Sequence, residues 1–342
     1  LEYGGLSARG FVYPGGVRGV RLENDVGHVE LLPFKGQQIW DAWFQGRRLT
    51  MRSPVQHPRR TDFFLHTYGC FMMHCGALRM GCPGPEDDHR LHGELPCAEY
   101  QDTAILFGSD EGGDWIALSG AYYHDTAFTA HYLARPRVTM RAGSSLLEIT
   151  MEIVNRSSYP MDLMYMCHVN FRPVEGGRIV QSAGWDPGSM RLRRSVPRHV
   201  QVSEEYLAFI AKLEQDPDLT RVIRSGDQYN PEVAFFMDMV RADREGMAHF
   251  MQVHPDGTAD YIGYRPRELG HATRWITRTA DQEALGVALP ATCDPEGYTA
   301  EKNKGNLKQV DGGSTVTFTV TTGYLDQERA EDMERRIAAI TG

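Results

Sequence analysis

Short runs in which apolar and polar residues alternate, broken by turn residues, recur along most of the chain, and this period of two marks half-buried β-strands rather than helices. Val17, Val20 and Leu22 begin one strand, Asn24-Asp25 with Gly27 turn it, and His28 to Leu32 return it. Ile39 to Phe44 and Arg48 to Met51 then flank a turn at Gln45-Gly46, which completes an opening meander. Between Ser145 and Phe171 the pattern is clearest. Leu147, Ile149, Met151 and Ile153 alternate with polar partners, Asn155 to Pro160 read as a turn, and Met161 to Phe171 run back, so a long hairpin is expected. A second hairpin is expected from His249 to Val253, the Pro255-Asp256-Gly257 turn and Tyr261 to Tyr264, and a last strand at Val316, Phe318 and Val320.

Two segments carry the helical period instead. Ser203 can cap a helix in which Tyr206, Phe209, Ile210 and Leu213 share a face, ending before Pro217. Asp326 can cap a second whose Met333, Ile337 and Ile340 form one stripe for docking on a sheet. The class is therefore mainly β: a large antiparallel β-sandwich with a few short helices. No fixed-period repeat and no Pro-, Gly- or Ser-rich linker divides the chain, so residues 1–342 are expected to form a single domain.

Charge narrows the partners. The net charge is −9 and the basic residues are scattered, which is the wrong footprint for nucleic acid. No run approaches the 18 or so apolar residues of a membrane span. The first residues carry glycine and arginine where a secretory leader needs an apolar core, so a cytoplasmic protein is expected. Six cysteines, at positions 70, 75, 82, 97, 167 and 293, lack the dense spacing of a secreted disulfide scaffold and are read as thiols.

Candidate chemistry gathers in two places. The stretch from His66 to Tyr100 is the richest in polar groups, cysteine and histidine, and includes Arg90-Leu91-His92-Gly93-Glu94. His168 ends the apolar run Leu163 to Cys167 and is followed by Asn170, Phe171 and Arg172, a placement from which a histidine can point into a cleft. Either histidine alone would more often be a core residue bonded to a backbone carbonyl. His74, Cys75, Cys82, His89 and His92 also raise the possibility of zinc, but their spacing contains no C-x₂-C pair, and no metal or cofactor is expected.

The same segments resemble the aldose 1-epimerases of the galactose mutarotase-like superfamily. Leu147 to Phe171 is similar to that family's long hairpin, which leads into an "H-x-x-F" segment, and Leu91-His92-Gly93 is similar to its "LHG" loop. Gly36-Gln37-Gln38-Ile39-Trp40-Asp41-Ala42, Tyr68-Gly69-Cys70, Gly81-Cys82-Pro83, Tyr165-Met166-Cys167-His168 and Leu289-Pro290-Ala291-Thr292-Cys293 place the resemblance nearest a deoxyribose mutarotase-like branch. It implies a galactose mutarotase-like supersandwich whose ligand is a small sugar. Because exposed sheet edges can pair between copies or be covered within one chain, a monomer or homodimer is expected. It also implies metal-independent interconversion of sugar anomers, with His168 the acid at the ring oxygen and His92 a hydrogen-bond donor beside it.

One position breaks the pattern. The family's basic glutamate sits in a segment like "G-V-x-L-E", and the corresponding Gly286-Val287-Ala288-Leu289 is followed by Pro290. Glu296 is then the first candidate base, with Asp294 and Glu94 after it; Arg90, Asn170, Arg172 and Trp275 are candidate sugar-binding residues. A non-catalytic sugar-binding or sensing protein that has lost the base is the alternative.

Overall fold

The computed structural model describes residues 1–194 and 202–342. Two antiparallel sheets dominate it. The larger runs, from edge to edge, through Glu2–Tyr3, Leu6–Val12, Arg18–Asn24, Gly27–Leu31, Ile39–Phe44, Met72–Ala77, Met161–Val169, Glu283–Ala291, His271–Arg278, Val233–Met237 and Met190–Leu192. The smaller runs through Arg178–Gln181, Ala248–Val253, Ala259–Tyr264, Thr315–Leu325, Leu146–Asn155, Ala130–Arg141, Gly113–Thr126 and Asp102–Asp110. The opening meander, the hairpin of Ala248–Val253 with Ala259–Tyr264 and the last strand form as the alternation predicts. Arg48 to Met51 contributes less than expected: only Arg47–Arg48 pairs as a strand.

Alternation explains the core. Leu147, Ile149, Met151 and Ile153 are buried on one side of their strand and meet Leu163, Tyr165, Cys167 and Val169 of the other sheet. The expected hairpin is not a hairpin, however. Leu146–Asn155 pairs with Ala130–Arg141 and Thr315–Leu325 in the smaller sheet, whereas Met161–Val169 pairs with Met72–Ala77 and Glu283–Ala291 in the larger. The turn between them carries the chain from one layer to the other. Period-two alternation fits both arrangements, and only the second strand distinguishes them: Leu163 to Val169 is apolar without interruption apart from His168, the pattern of a strand buried on both faces.

Among the described residues, three α-helices stand at the margins. Ser203 Oγ accepts from the Tyr206 N–H at the start of Glu204–Gln215, and Asp326 accepts from the Arg329 N–H at the start of Gln327–Thr341. Ile337 of the second packs with Met251, Tyr261 and Leu325 on the outside of the smaller sheet. The short helix Tyr298–Lys304 was not foreseen, because it has no apolar stripe of its own.

Asn155 holds the layer crossing. Fully buried, it donates from Nδ2 to the carbonyls of Tyr159 at 2.7 Å and Val310 at 2.9 Å, and its Oδ1 accepts the Ser157 N–H at 2.9 Å. Removing the amide strands buried backbone groups, a loss on the order of 1–3 kcal/mol. Urea unfolding of Asn155→Ala should therefore show a lower midpoint with an unchanged slope; an unchanged midpoint would contradict this role.

Candidate functional site

The outer face of the larger sheet carries a second apolar cluster, separate from the inter-sheet core. Met164 and Met166 lie in it with Met73, Cys75 and Leu289, under Phe64 and Tyr68 from the covering loops. Side chains two apart on a strand share a face, so His168 emerges on the same side as Met164 and Met166. His74, by contrast, lies on the inner side, its Nδ1 2.9 Å from the Tyr165 hydroxyl, while its neighbour Cys75 belongs to the outer cluster. The loops leave a cavity of about 260 Å³ over this face, and His92, His168, Glu232, Thr273 and Trp275 reach its wall.

His92 gets there by an unusual backbone. Its φ of 60° is left-handed, as is that of Gly93 at 81°. A Cβ at Gly93 would stand 2.0 Å from the Arg79 carbonyl, so glycine is needed there. His92 donates its N–H to Gly81 O at 2.9 Å and accepts from the Gly76 N–H at 3.0 Å, which pins the loop to the sheet. The two imidazoles then lie with centroids 5.5 Å apart, His92 edge-on to Phe64 at 5.4 Å and His168 edge-on to Trp275 at 5.5 Å.

Burial makes both imidazoles neutral. It pushes His168 down to about 4, partly offset by the neighbouring Asn170 side chain, and holds His92 well below the usual histidine range, helped by the neighbouring His168 and Arg193. Nδ1 of each ring is buried without a hydrogen-bond partner.

The carboxylate on the wall is one that sequence reasoning missed. Glu232 Oε2 accepts from Trp275 Nε1 at 2.7 Å, and Oε1 is ion-paired to Arg193 Nη2. Among the described residues it is the one carboxylate lining the cavity. Its backbone is fixed too, since the Tyr206 hydroxyl donates to the Glu232 carbonyl at 2.8 Å and Thr277 Oγ1 to Pro231 O at 2.6 Å. A signal existed: Glu232 opens the wholly buried strand Val233–Met237, as His168 closes an apolar one.

The other expected residues lie elsewhere. Glu296 turns away from the cavity to Lys304 Nζ at 2.5 Å, although Pro295 before it reaches the wall. Asp294 is buried in ion pairs with Arg191 at 3.0 Å and His271 at 3.1 Å. These two and Glu301 have oxygens within 4.8 Å of one another, but the Lys304 ammonium already sits between them, 2.7 Å from Glu301 and 3.6 Å from Asp294. Glu94 is an anchor: one oxygen accepts the Ala77 and Leu78 N–H groups, both at 2.9 Å, and the Tyr132 hydroxyl at 2.6 Å. Arg90 pairs with Asp62 at 2.9 Å on the surface, and Arg172 is exposed. Asn170 stands behind the wall, accepting from the Tyr68 hydroxyl at 3.0 Å and donating to Cys70 O at 3.1 Å. Pro290 is buried opposite Ala272, and Leu289 rather than position 290 reaches the cavity.

Known proteins of this shape can now be compared. The chain is similar over 98% of its length, and 88% of the other's, to the crystal structure of a candidate aldose 1-epimerase from Klebsiella pneumoniae, with a TM-score of 0.81 and 18% identity. A galactose mutarotase-like protein from Clostridium acetobutylicum follows at a TM-score of 0.62 and 12% identity, covering 94% of this chain and 99% of that one. The fold is galactose mutarotase-like. A galactose mutarotase related enzyme from Lactobacillus acidophilus has a TM-score of 0.58 at 10% identity, over 90% of this chain and 98% of its own. In sequence, a family profile described as a domain of unknown function, DUF4432, matches residues 15–184. No curated protein matches the chain. At these identities the mutarotase-like structures bear on the fold and not on the activity.

The electrostatics predict a pH profile. If a neutral His168 is the working form, activity at the site should stay level as pH falls through 6.5 and decline only toward about 4, where the ring gains its proton. A single limb near 6.5 in a kcat/KM profile would contradict this burial-driven shift.

Proposed function

We propose that the chain is an aldose 1-epimerase, an isomerase that interconverts the α and β anomers of a small aldose in the cavity between His92, His168 and Glu232. The supporting observation is that one cavity brings together a fixed carboxylate and two buried imidazoles, each with an unpaired nitrogen. On this reading residues 1–342 act as one galactose mutarotase-like unit in the cytoplasm, and the resemblance to the deoxyribose mutarotase-like branch belongs to the same proposal.

Mutarotation opens a cyclic hemiacetal and closes it again. Glu232 takes the proton of the anomeric hydroxyl, the bond between the anomeric carbon and the ring oxygen breaks, and an aldehyde forms. The ring oxygen gathers negative charge, which the His168 N–H stabilises by donating a hydrogen bond to it. Rotation of the aldehyde by half a turn and reclosure draw the proton back from Glu232 to the new anomeric oxygen, so the reaction balances without metal, redox partner or cofactor. A neutral imidazole suits this step, because its N–H stabilises charge on oxygen without placing a second cation beside Arg193. His92 donates to the same region of the sugar, and Trp275, Tyr68 and Phe64 offer faces for its C–H surfaces. Arg193 balances the charge of Glu232 and Trp275 aims it, which keeps the carboxylate toward the sugar.

The alternative of a protein that only binds sugar rested on Pro290 in the glutamate's place. Glu232, two strands away, offers a carboxylate for that role, which favours the isomerase over the binding protein.

Saturation-exchange NMR of anomeric signals across a panel of aldoses tests the proposal. The wild type should accelerate exchange of at least one sugar, and His168→Ala should lower the rate by roughly 10²–10⁴-fold. Binding of a sugar by the wild type without faster exchange would establish the binding protein instead.

A further inference from the structure

Three residues that line the cavity each carry a polar atom buried without a partner in the protein: Nδ1 of His92, Nδ1 of His168 and Oγ1 of Thr273. The mechanism employs the two histidines and leaves Thr273 unexplained. Its residue is 2% exposed, on the strand His271–Arg278, with Leu289 opposite on one neighbouring strand and Phe236 on the other. A buried hydroxyl without a hydrogen bond costs free energy, and valine would fill the same space without that cost. Thr277, four residues along the same strand, shows the ordinary solution, its hydroxyl bonded to Pro231 O at 2.6 Å.

The backbone around Thr273 is irregular as well. Thr273 stands opposite Leu289, yet Trp275, two residues on, stands opposite Gly286, so the partner strand fits three steps against two. Such a bulge bends the strand and re-aims its side chains, and bulges concentrate beside active sites. Here it falls between two residues that both reach the cavity, one of which holds Glu232.

We infer that Thr273 is a specificity-determining residue of this site, hydrogen-bonded through Oγ1 to one hydroxyl of the bound aldose. This rests on the sugar reading of the cavity proposed above. A hydroxyl both donates and accepts, which matches a sugar hydroxyl and leaves an unpaired group against a methylene. Thr273 therefore makes the site select for an aldose that carries a hydroxyl at one ring position, apart from the anomeric centre where Glu232 and His168 act.

The test compares wild type, Thr273→Val and Thr273→Ser, with binding and exchange measured separately. Ligand-observed NMR gives Kd for an aldose and its monodeoxy derivatives, and saturation exchange gives the rate on the same samples. Thr273→Val should weaken binding of the parent aldose about five- to twenty-fold, and Thr273→Ser should restore it. One monodeoxy derivative should show a similar loss on the wild type and no further loss on Thr273→Val; the others should lose affinity independently of the substitution. If Thr273→Val binds every sugar as the wild type does, or if no deoxy position couples to it, the inference is overturned. Coupled binding with no accelerated exchange would uphold Thr273 and overturn the isomerase. Binding of no aldose by the wild type would overturn both.

Discussion

A sheet with apolar side chains on both faces has to be covered twice, and the rest of this structure follows from that constraint. The smaller sheet covers one face strand by strand, with Leu147, Ile149, Met151 and Ile153 meeting Leu163, Tyr165 and Cys167. Loops cover the other, and irregular chain cannot match a pleated surface as another sheet does. The gap left over Met166 and Leu289 is the cavity. A polar group on that face is therefore desolvated yet not fully packed, which is the position of His168. The loop carrying His92 closes the gap with His92 itself in the left-handed region, and strain of that kind in a non-glycine residue concentrates at functional sites.

Charge is handled differently on the two sides of the covering loops. Within the cavity the imidazoles stay neutral, and the Glu232 carboxylate has Arg193 as its counter-ion. Beyond it, Asp294, Glu296 and Glu301 are gathered around Lys304, with Arg191 and His271 on Asp294. The second group is the denser in carboxylates, but its charges are spent on one another, and it locks the short helix Tyr298–Lys304 against the strand end at Ala291. The proposed chemistry lies where one carboxylate faces open space, and the larger acidic cluster is a structural joint.

Much of this was legible in the sequence, for a physical reason. Period-two alternation identifies strands because it is set by the pleat, and it marked the meander, the hairpin at Pro255-Asp256-Gly257 and the closing strand. It does not say which strand a given strand pairs with, so Leu146–Asn155 and Met161–Val169 were read as a hairpin when each belongs to a different sheet. His92 and His168, far apart along the chain, line one cavity in the fold, as their shared place in the resemblance leads one to expect. The carboxylate could not be found in this way. Position 290 and its neighbours are linked by adjacency along the chain, whereas Glu232 meets the cavity beside Trp275 on an adjacent strand, a relation that exists only across the sheet. Arg90 and Glu94 lie outside this cavity for the related reason that standing two residues from a histidine in a tight loop places a side chain on another face of the loop.

The central claim is that Glu232, and not a carboxylate of the Asp294–Glu296 loop, takes the anomeric proton. Anomeric exchange rates of Glu232→Gln and Glu296→Gln on one aldose accepted by the wild type test it most directly. Glu232→Gln keeps a side chain that can face Trp275 and should lose roughly 10²–10⁴-fold in rate, with Glu296→Gln close to the wild type. A Glu296→Gln protein that fails to accelerate exchange beside a fully active Glu232→Gln protein would contradict the account.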